Sequence, residues 1–266
     1  MNSDSAELTN EEGETHVHVR EDSATHVATI TFRRGTNNYF DMDLLDRLVT
    51  AMEGLAHTGV RAIVLESSAK HFCAGMNFQP RNLEDDGGPH IYDDVVPRLF
   101  AQTLPLVAAI NGATIGGGLG LVMAADFRVG TPRARFAANF ARLGISQGFA
   151  LSATLPSVIG AQRAAELLYT GRRVTGAEAF EIGLCDRLVE PDDVSREAHR
   201  LAADIASSAP LAVASIRRTL RERLNADVAV ALAQERLEQG ILRRTNDFRE
   251  GVLANAERRE PRFTAS

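Results

Sequence analysis

Four glycines stand where an apolar strand passes into an apolar helix, within the stretch INGATIGGGLGLVMAADFRV at residues 110–129. Glycine weakens a helix by roughly 1 kcal/mol relative to alanine, so this cluster indicates a need for bare backbone. At a helix N-terminus the first N–H groups have no intrahelical acceptor, and the helix dipole favours negative charge. The pattern therefore predicts either an anion hole or close strand–helix packing without chemistry. The glycines are Gly116, Gly117, Gly118 and Gly120.

Two familiar glycine motifs do not fit this stretch. A dinucleotide fingerprint G-x-G-x-x-G that uses Gly118 and Gly120 would need a third glycine where Met123 stands. A phosphate-binding P-loop requires Gly-Lys-Ser/Thr, and Leu119 follows Gly118. The sequence thus excludes both nucleotide motifs here.

A second turn with a glycine follows another apolar segment. KHFCAGMNF, residues 70–78, comes directly after RAIVLESS, which we predict to be a short buried strand. Gly75 then lies in a strand-to-loop transition, where a free N–H could point into the same pocket as the glycine cluster. This second turn favours the anion hole over plain packing.

Composition limits the classes of partner and the cellular location that we expect for this chain. Its 266 residues are 44% hydrophobic, enough for one large domain or two small ones. A net charge of −6 argues against nucleic-acid binding. Asp126 and Arg128 interrupt the best apolar run, which argues against a membrane span. The start MNSDSAELTNEEGETH does not resemble a secretory signal. Cys73 and Cys185 form no disulfide framework or metal cluster, which predicts a cytoplasmic protein without a bound metal.

The order of the predicted elements is strand, helix, strand, helix, strand, which indicates an α/β core. The chain becomes helical after Gly160. We predict an acidic, disordered N-terminus at 1–15, an α/β core at 16–205 and a helical region at 206–266. The predicted strands are 17–20, 26–32, 61–68, 106–110 and 126–131. The predicted helices are 42–56 with Asp41 as N-cap, the segment from the glycines to about 125, 161–170 ended by Gly171, a short helix capped by Thr175, 194–208, 210–224, 227–242 and 246–259.

Five stretches, taken in order, resemble the crotonase superfamily, the enoyl-CoA hydratase/isomerase family. The resemblance covers nearly the whole chain and implies a spiral of ββα units with a helical C-terminal region. It also implies a trimer or a dimer of trimers, with the helical third between subunits. The stretches are FCAGMN (72–77), NGATIGGG (111–118), FAANFARLGI (136–145), LLYTGRRVTGAEAFEIGLCDRLV (167–189) and FREGVLANAERREPRF (248–263).

The resemblance assigns roles to individual residues. Two backbone N–H groups, at Met76 and Gly117, would hold the oxygen of a CoA thioester as it becomes an enolate; each such donor is typically worth about 2.7–4 kcal/mol. Gly116 and Gly118 become permissive neighbours. CoA enters as part of the substrate, and no further cofactor is implied. The regions that would contact CoA contain Asn37, Asn38, Cys73, Ala74 and Asn77, with Arg34 and Arg258 or Arg259 as candidates for its phosphates or as solvated surface charges.

The chain departs from the family at both catalytic carboxylates. The two hydratase glutamates are replaced by Gly120 and Phe140. Adding water to a double bond requires one group to deprotonate water and one to protonate carbon, and neither residue can do this. We therefore expect a reshaped, more apolar pocket, with Gly120 opening one wall and Phe140 filling the other. Candidates for a substitute acid or base lie in the long loop 79–97 and after the L-G-I stretch: Glu84, Asp85, Asp86, His90, Tyr92, Asp93, Asp94, Ser146 and Gln147.

Several activities remain open at this stage. The resemblance implies a lyase or isomerase that works through a stabilised enolate. Decarboxylation of a malonyl-type CoA needs no general base, because loss of carbon dioxide itself generates the enolate. Isomerisation or thioester hydrolysis with an acid from the loop, and non-catalytic acyl-CoA binding, are open as well. An ordinary hydratase with carboxylates supplied from elsewhere is the weakest of them.

Overall fold

The computed structural model describes residues 15–78 and 91–266. The predicted N-terminal tail, except for its last residue 15, lies outside these ranges. So do four of the loop candidates, Glu84, Asp85, Asp86 and His90. Within them the strands are β1 (Thr15–Asp22), β2 (Val27–Arg34), β3 (Ala62–Ser67), β4 (Leu106–Ile110), β5 (Ala113–Ile115), β6 (Phe127–Gly130), β7 (Arg135–Ala137), β8 (Arg173–Thr175) and β9 (Arg187–Leu188). The helices are α1 (Met42–Leu55), α2 (Val96–Ala101), α3 (Gly117–Met123), α4 (Leu151–Ile159), α5 (Ala161–Thr170), α6 (Gly176–Glu181), α7 (Val194–Ala206), α8 (Pro210–Leu242) and α9 (Asn246–Glu257).

The strands form two sheets. The larger sheet has six strands in the order β1-β2-β3-β4-β6-β9, and the smaller has three in the order β5-β7-β8. The β1–β2 hairpin is antiparallel, and β2, β3, β4, β6 and β9 then run parallel to one another. This mixed α/β architecture, with its helical C-terminal third, confirms the fold class predicted from the sequence.

Both faces of the large sheet are covered, as parallel strands require. Alternate residues of the central strands, including Ile30, Ile63 and Ala108, join α1 in the main core. The intervening residues, including Val64 and Val107, pack with α7 on the other face. Because both faces of these strands are buried, nearly every residue in them is apolar.

Helix caps explain why several predicted boundaries are accurate. The Asp41 side chain accepts a hydrogen bond from the Leu44 N–H, and Thr175 accepts from the Glu178 N–H, which fixes the starts of α1 and α6. Gly171 ends α5 in the left-handed conformation at φ 59°. The sequence carried these signals locally, so they could be found without the fold.

The structure differs from the sequence-based prediction of elements at three places along the chain. Residues 210–224 and 227–242 belong to the single 33-residue helix α8, because Asn225 and Ala226 continue it. Part of the predicted loop 79–97 is helical: a π-helical turn at Ile91–Val95 leads into α2, which tolerates Pro97 in its first turn. Helix α4 was not predicted; its interior proline, Pro156, obscures the helical pattern.

Helix α8 is tied to the body of the protein by a buried ion cluster. Asp126 accepts from the Arg217 Nε at 2.9 Å, the Arg221 Nη1 at 3.0 Å and the Leu106 N–H at 2.8 Å. The side chains of Asp126, Arg217 and Arg221 are all 15% exposed or less. Further along, Val228, Ala231 and Leu232 enter the main core. In the part of the chain described here, no helix is both long and apolar enough to cross a bilayer.

Candidate functional site

The two glycine turns meet because their strands are neighbours. Strands β3 and β4 are parallel and adjacent, so their carboxyl ends lie at the same edge of the sheet. The 70–78 turn follows β3, and the glycine cluster follows β4 by way of β5. The topology therefore brings together two segments that are far apart in sequence.

Backbone hydrogen bonds fix the first turn against its neighbours. The Cys73 N–H donates to the Ala113 carbonyl at 3.0 Å, and the Ile115 N–H donates to the Cys73 carbonyl at 3.0 Å. On its other side, the Phe40 N–H donates to the Gly75 carbonyl at 3.0 Å. The turn is thus held between β5 and Phe40.

Glycine is required at two positions by backbone geometry. Gly75 has φ +87° and Gly116 has φ +56° with ψ −119°, conformations that side-chain-bearing residues rarely adopt. A Cβ on Gly75 would also come within 2.7 Å of the Ile115 carbonyl oxygen and 3.7 Å of the Gly117 nitrogen. The Gly75 turn and the start of α3 are therefore in direct contact.

The predicted oxyanion donors lie at this contact. Gly117 is the first residue of α3, where an N–H has no intrahelical acceptor. Within the described residues, neither the Met76 N–H nor the Gly117 N–H donates to a backbone carbonyl. Both residues line the same cavity, of about 670 Å³. Two residues whose N–H groups have no backbone acceptor in the described ranges therefore line one cavity.

The cavity collects most, but not all, of the predicted site residues. Met76, Gly117, Ala74, Asn77, Gly116 and Phe140 line it. Asn38 is fully buried below the surface, where its side chain donates to the Phe72 carbonyl at 2.6 Å and accepts from the Arg34 N–H at 2.7 Å. Cys73 is fully buried between β5 and Phe40, and burial raises the pKa of its thiol to about 12, so it stays neutral. Asn37 is exposed, and its carbonyl accepts from the Ala74 N–H at 3.3 Å. Four predicted site residues therefore do not line the cavity: Asn37, Asn38, Cys73 and Gly120.

The expectation that Gly120 opens one wall of the pocket is wrong. A Cβ on Gly120 would lie 2.3 Å from the Cβ of Phe149, a side chain that is itself 1% exposed. The Phe149 ring fills the vacated space and packs edge-on against Phe40, with ring centroids 5.6 Å apart. The missing carboxylate has been replaced by an aromatic ring rather than by open volume, whereas Phe140 does face the cavity.

A buried carboxylate holds the segment that carries this ring. Phe149 and Ala150 both adopt positive φ, at 63° and 59°. The Glu235 carboxylate of α8 accepts from the Ala150 N–H at 2.8 Å and the Ser152 N–H at 2.9 Å, and so caps α4 from a distant element. Burial raises the pKa of Glu235, in opposition to these hydrogen bonds. Non-glycine residues in the left-handed region cost free energy, so this contact stabilises a strained turn.

Of the loop candidates that the structure describes, Tyr92 reaches the cavity. Its hydroxyl donates to the Gln239 Oε1 at 3.2 Å, and Gln239 also lines the cavity. Burial raises the pKa of Tyr92, so the phenol stays protonated at neutral pH. Asp93 and Asp94 instead form ion pairs with Arg236 and Arg98. Ser146 accepts from Gln239 through its carbonyl, and neither Ser146 nor Gln147 lines the cavity.

Charged residues at the cavity are mostly arginines. Among its described lining residues Glu260 is the single carboxylate, and it is paired with Arg142. Arg259 also lines the cavity, whereas Arg34 is paired with Asp41 away from it. Across the two described ranges, no group of three His, Cys, Asp or Glu side chains could hold a metal ion. The cavity therefore offers backbone amides and cations, but no free acid–base carboxylate among these residues.

Helix α9 closes the cavity from the C-terminal side of the same chain. Phe248 packs edge-on against Phe78, with centroids 5.8 Å apart, and Ala254 and Asn255 line the wall. Sequence reasoning did not anticipate the lining roles of Phe149, Gln239 and Arg243, because each depends on long-range packing and none lies in a recognisable motif.

The fold and the paired glycine turns define a crotonase-type protein. The model of the enoyl-CoA hydratase/isomerase family matches residues 22–266, nearly the whole chain. The chain therefore belongs to the enoyl-CoA hydratase/isomerase family, whose members act on acyl-CoA thioesters. This confirms the resemblance found in the sequence.

Individual relatives agree with this assignment. The Bacillus subtilis protein YngF, which carries the family's hydratase/isomerase name, is 35% identical over 88% of this chain and 93% of its own length. A short-chain-enoyl-CoA hydratase of Clostridium acetobutylicum is 30% identical over 76% of this chain and 79% of its own. The crystal structure of an enoyl-CoA hydratase/isomerase from Pseudoalteromonas atlantica superposes with a TM-score of 0.84 at 27% identity, covering 93% of this chain and 99% of that one.

Proposed function

We propose that this protein binds an acyl-CoA and polarises its thioester carbonyl between the Met76 and Gly117 N–H groups. The observation that carries the proposal is the contact between the two turns at a shared cavity, with both N–H groups free of backbone acceptors among the described residues. Donors fixed before the reaction stabilise a developing oxyanion strongly, because no reorganisation is needed as the charge forms. The assigned chemistry is that of a lyase or isomerase passing through an enolate.

We do not assign ordinary hydratase activity to this site. Phe140 lines the cavity where the family resemblance places one glutamate, and Phe149 fills the space beside Gly120 where it places the other. The Glu260 carboxylate is engaged with Arg142. Water addition lacks its acid–base pair among the described lining residues. Isomerisation and thioester hydrolysis need such groups as well, which makes them weaker candidates.

Decarboxylation is the second candidate, and the same lack of carboxylates favours it. When the bond between the α-carbon and a carboxylate breaks, carbon dioxide leaves and the electron pair moves into the thioester enolate. The two amides would hold the enolate oxygen, and a proton would then be added to carbon. No base is needed, and protonated Tyr92 lies in the cavity as a candidate donor. A non-catalytic acyl-CoA-binding protein would use the same cavity and would differ from a decarboxylase only in converting no substrate.

The test is a panel of acyl-CoA compounds, each incubated with the purified protein and followed by mass spectrometry and calorimetry. We expect binding of acyl-CoA in preference to the corresponding free acid, and no appreciable hydration of crotonyl-CoA. Robust formation of 3-hydroxybutyryl-CoA would refute the exclusion of hydratase chemistry. Binding without conversion of any compound would identify a non-catalytic acyl-CoA-binding protein.

Two further assignments accompany this proposal. We propose a homotrimer or a dimer of trimers, supported by exposed apolar side chains along α8 such as Leu220 and Leu237. We also propose a cytoplasmic location, since Cys73 and Cys185 are both free and buried and fit a reducing compartment.

A further inference from the structure

The geometry points to a second anion site within the cavity, in addition to the proposed oxyanion donors. There Arg243, at the end of α8, binds a carboxylate carried by the acyl group of the substrate. The ligand class is thus a CoA thioester of a dicarboxylic acid. This inference rests on the proposed acyl-CoA function, and it adds the chemical identity of the acyl group. The residues that form the site are Arg243, Tyr92, Gln239 and Phe78, which all line the cavity.

The charge balance of the cavity singles out Arg243. Arg142 pairs with Glu260, Arg172 with Glu166 at 2.6 Å and Glu178 at 2.7 Å, and Arg259 with Glu250 at 2.6 Å. No carboxylate of the described residues lies within ion-pair distance of Arg243. Arg173 shares this property, but it is exposed on β8. Arg243 is therefore a partly buried cation in the cavity without an internal counterion among these residues.

The surroundings of Arg243 orient it without neutralising it. Its guanidinium carbon lies 5.5 Å from the centre of the Phe78 ring, which fixes the side chain by a cation–π contact. Its positive charge acts on Tyr92 and opposes the rise in the pKa of that phenol, and both residues line the cavity. Gln239, one turn earlier on α8, accepts a hydrogen bond from the Tyr92 hydroxyl. A planar guanidinium without a carboxylate partner among the described residues suits a ligand carboxylate, which can accept two parallel hydrogen bonds from it.

The positions of the lining arginines separate Arg243 from the other four. Four of the five lining arginines come from the turn at Ala141–Leu143, from the Gly171–β8 segment and from the chain just after α9. The Arg142–Glu260 pair and the contact of Gly171 with Arg142 connect these segments. Three of these four, Arg142, Arg172 and Arg259, are already paired with glutamates, whereas Arg243 stands apart on α8. A single cation beside hydrogen-bonding side chains suits one carboxylate.

The experiment compares CoA thioesters that differ only at the end of the acyl chain. Isothermal titration is run with succinyl-CoA against butyryl-CoA, with glutaryl-CoA against pentanoyl-CoA, and with free CoA. The proteins are the wild type, Arg243→Met, Arg243→Lys and the matched control Arg244→Met, which removes the charge of an exposed arginine that does not line the cavity. Methionine retains an unbranched apolar side chain and removes the charge.

We expect at least one dicarboxylyl-CoA to bind the wild type about tenfold more tightly than its neutral partner. Arg243→Met should abolish this preference while binding neutral acyl-CoA normally, Arg243→Lys should keep part of it, and Arg244→Met should keep it in full. A wild type without the preference overturns the inference, although binding of neutral acyl-CoA would leave the proposed function intact. Equal weakening of every ligand and of free CoA in Arg243→Met would also overturn it, by showing that Arg243 reads a CoA phosphate. Absence of any acyl-CoA binding would overturn both.

Discussion

Gly75 is the residue at which shape and proposed chemistry depend most directly on one another. In Gly75→Ala the new Cβ would lie 2.7 Å from the Ile115 carbonyl oxygen, so the turn must shift and displace the adjacent Met76 N–H. Loss of one oxyanion donor typically lowers kcat by about 10²–10³-fold. We expect a loss of this size in turnover of any acyl-CoA that the wild type converts.

Gly160→Ala is the matched control for that variant. Gly160 has a similar φ of +81°, but a Cβ there would meet no atom within 4 Å. Both variants should lose about 1–3 kcal/mol of unfolding free energy, because a side chain at positive φ is strained. Only Gly75→Ala should lose turnover; equal losses in both would mean that strain alone, and not the position of the amide, accounts for the effect.

Gly120 offers a second test, because Phe149 occupies the space beside it. We expect Gly120→Ala to lower the free energy of unfolding by about 1–3 kcal/mol through overpacking. The loss should shrink when Phe149→Gly is already present, because that change removes both the Cβ and the ring that the new methyl group would meet. Denaturant unfolding of the double-mutant cycle measures this coupling. Gly54→Ala, with nothing within 4 Å of its Cβ, is the control, and additive losses at 120 and 149 would contradict the packing described.

The residue scale also shows what the sequence could reveal. Glycine clusters and the A-G turn are local patterns, so the meeting of the two glycine turns at one cavity could be predicted. The absence of Glu at 120 and 140 can likewise be read from the sequence. Whether a lost side chain leaves a hole is not a local property. Phe149 is distant from Gly120 in sequence, and no motif in the residues around it predicts that its ring packs against Gly120.

At the scale of elements, the attachment of α8 depends on the ion cluster around Asp126. Asp126→Ala would leave Arg217 and Arg221 buried without their carboxylate. Breaking a buried pair in this way typically costs about 3–5 kcal/mol, and urea or guanidinium unfolding should show a loss of this order.

Asp227→Ala, on the same helix, is the control for that variant. It removes an exposed carboxylate that lies 3.8 Å from the Arg223 Nε. Because exposed substitutions away from special features change stability little, we expect a difference within about 0.5 kcal/mol. Similar effects of the two variants would show that α8 does not rely on the cluster.

The contact between α8 and α4 should depend on pH through Glu235. Burial raises the pKa of this carboxyl, so the native state holds its proton to higher pH than the unfolded chain, where a glutamate titrates near about 4.3. Between that value and the raised native pKa the native state binds more protons, and the free energy of unfolding contributed by this group falls as pH rises. The difference in stability between wild type and Glu235→Gln should therefore become less favourable to the wild type from about pH 4 upward, and then level off.

Denaturant unfolding at a series of pH values tests this sign. The exposed Glu238→Gln, on the same helix, is the control for removal of a negative charge. A difference that grows in favour of the wild type with rising pH would show that the hydrogen bonds from Ala150 and Ser152 outweigh burial. That outcome would reverse the assigned direction of the pKa shift.

Element boundaries were predictable where capping residues mark them, as at Asp41, Thr175 and Gly171. They were not predictable where the chain merely changes composition. The polar stretch near Asn225 suggested a break, yet α8 continues because its inward-facing residues, among them Arg221 and Val228, keep contact with the body on both sides of that point. Helix periodicity was read correctly there, but the continuity of the helix is set by tertiary contacts.

At the scale of the whole molecule, the helical C-terminal third has two separate roles. Helix α9 packs against Phe78 and lines the cavity of its own chain. Helix α8 spans 33 residues and leaves one side to solvent. The sequence predicted an assembly role for the entire region 206–266; the structure adds that its last helix serves the site of the same chain.

The exposed side of α8 carries an apolar stripe, which we define as Ile216, Leu220, Val230, Leu237 and Ile241, each more than half exposed. At about 100° per residue these five side chains lie within about 60° of Ile216 around the helix axis. An exposed stripe of this kind on a long helix marks an interaction surface, and a second copy of the chain is the partner that the proposed trimer requires. Leu220→Glu should therefore shift the mass measured by analytical ultracentrifugation towards the monomer, because it would bury a charge in the contact. The control Leu211→Glu changes an equally exposed leucine that lies about 140° away from Ile216 and should leave the assembly intact. A wild type that sediments as a monomer, or an assembly that tolerates Leu220→Glu, would exclude the stripe as the subunit contact.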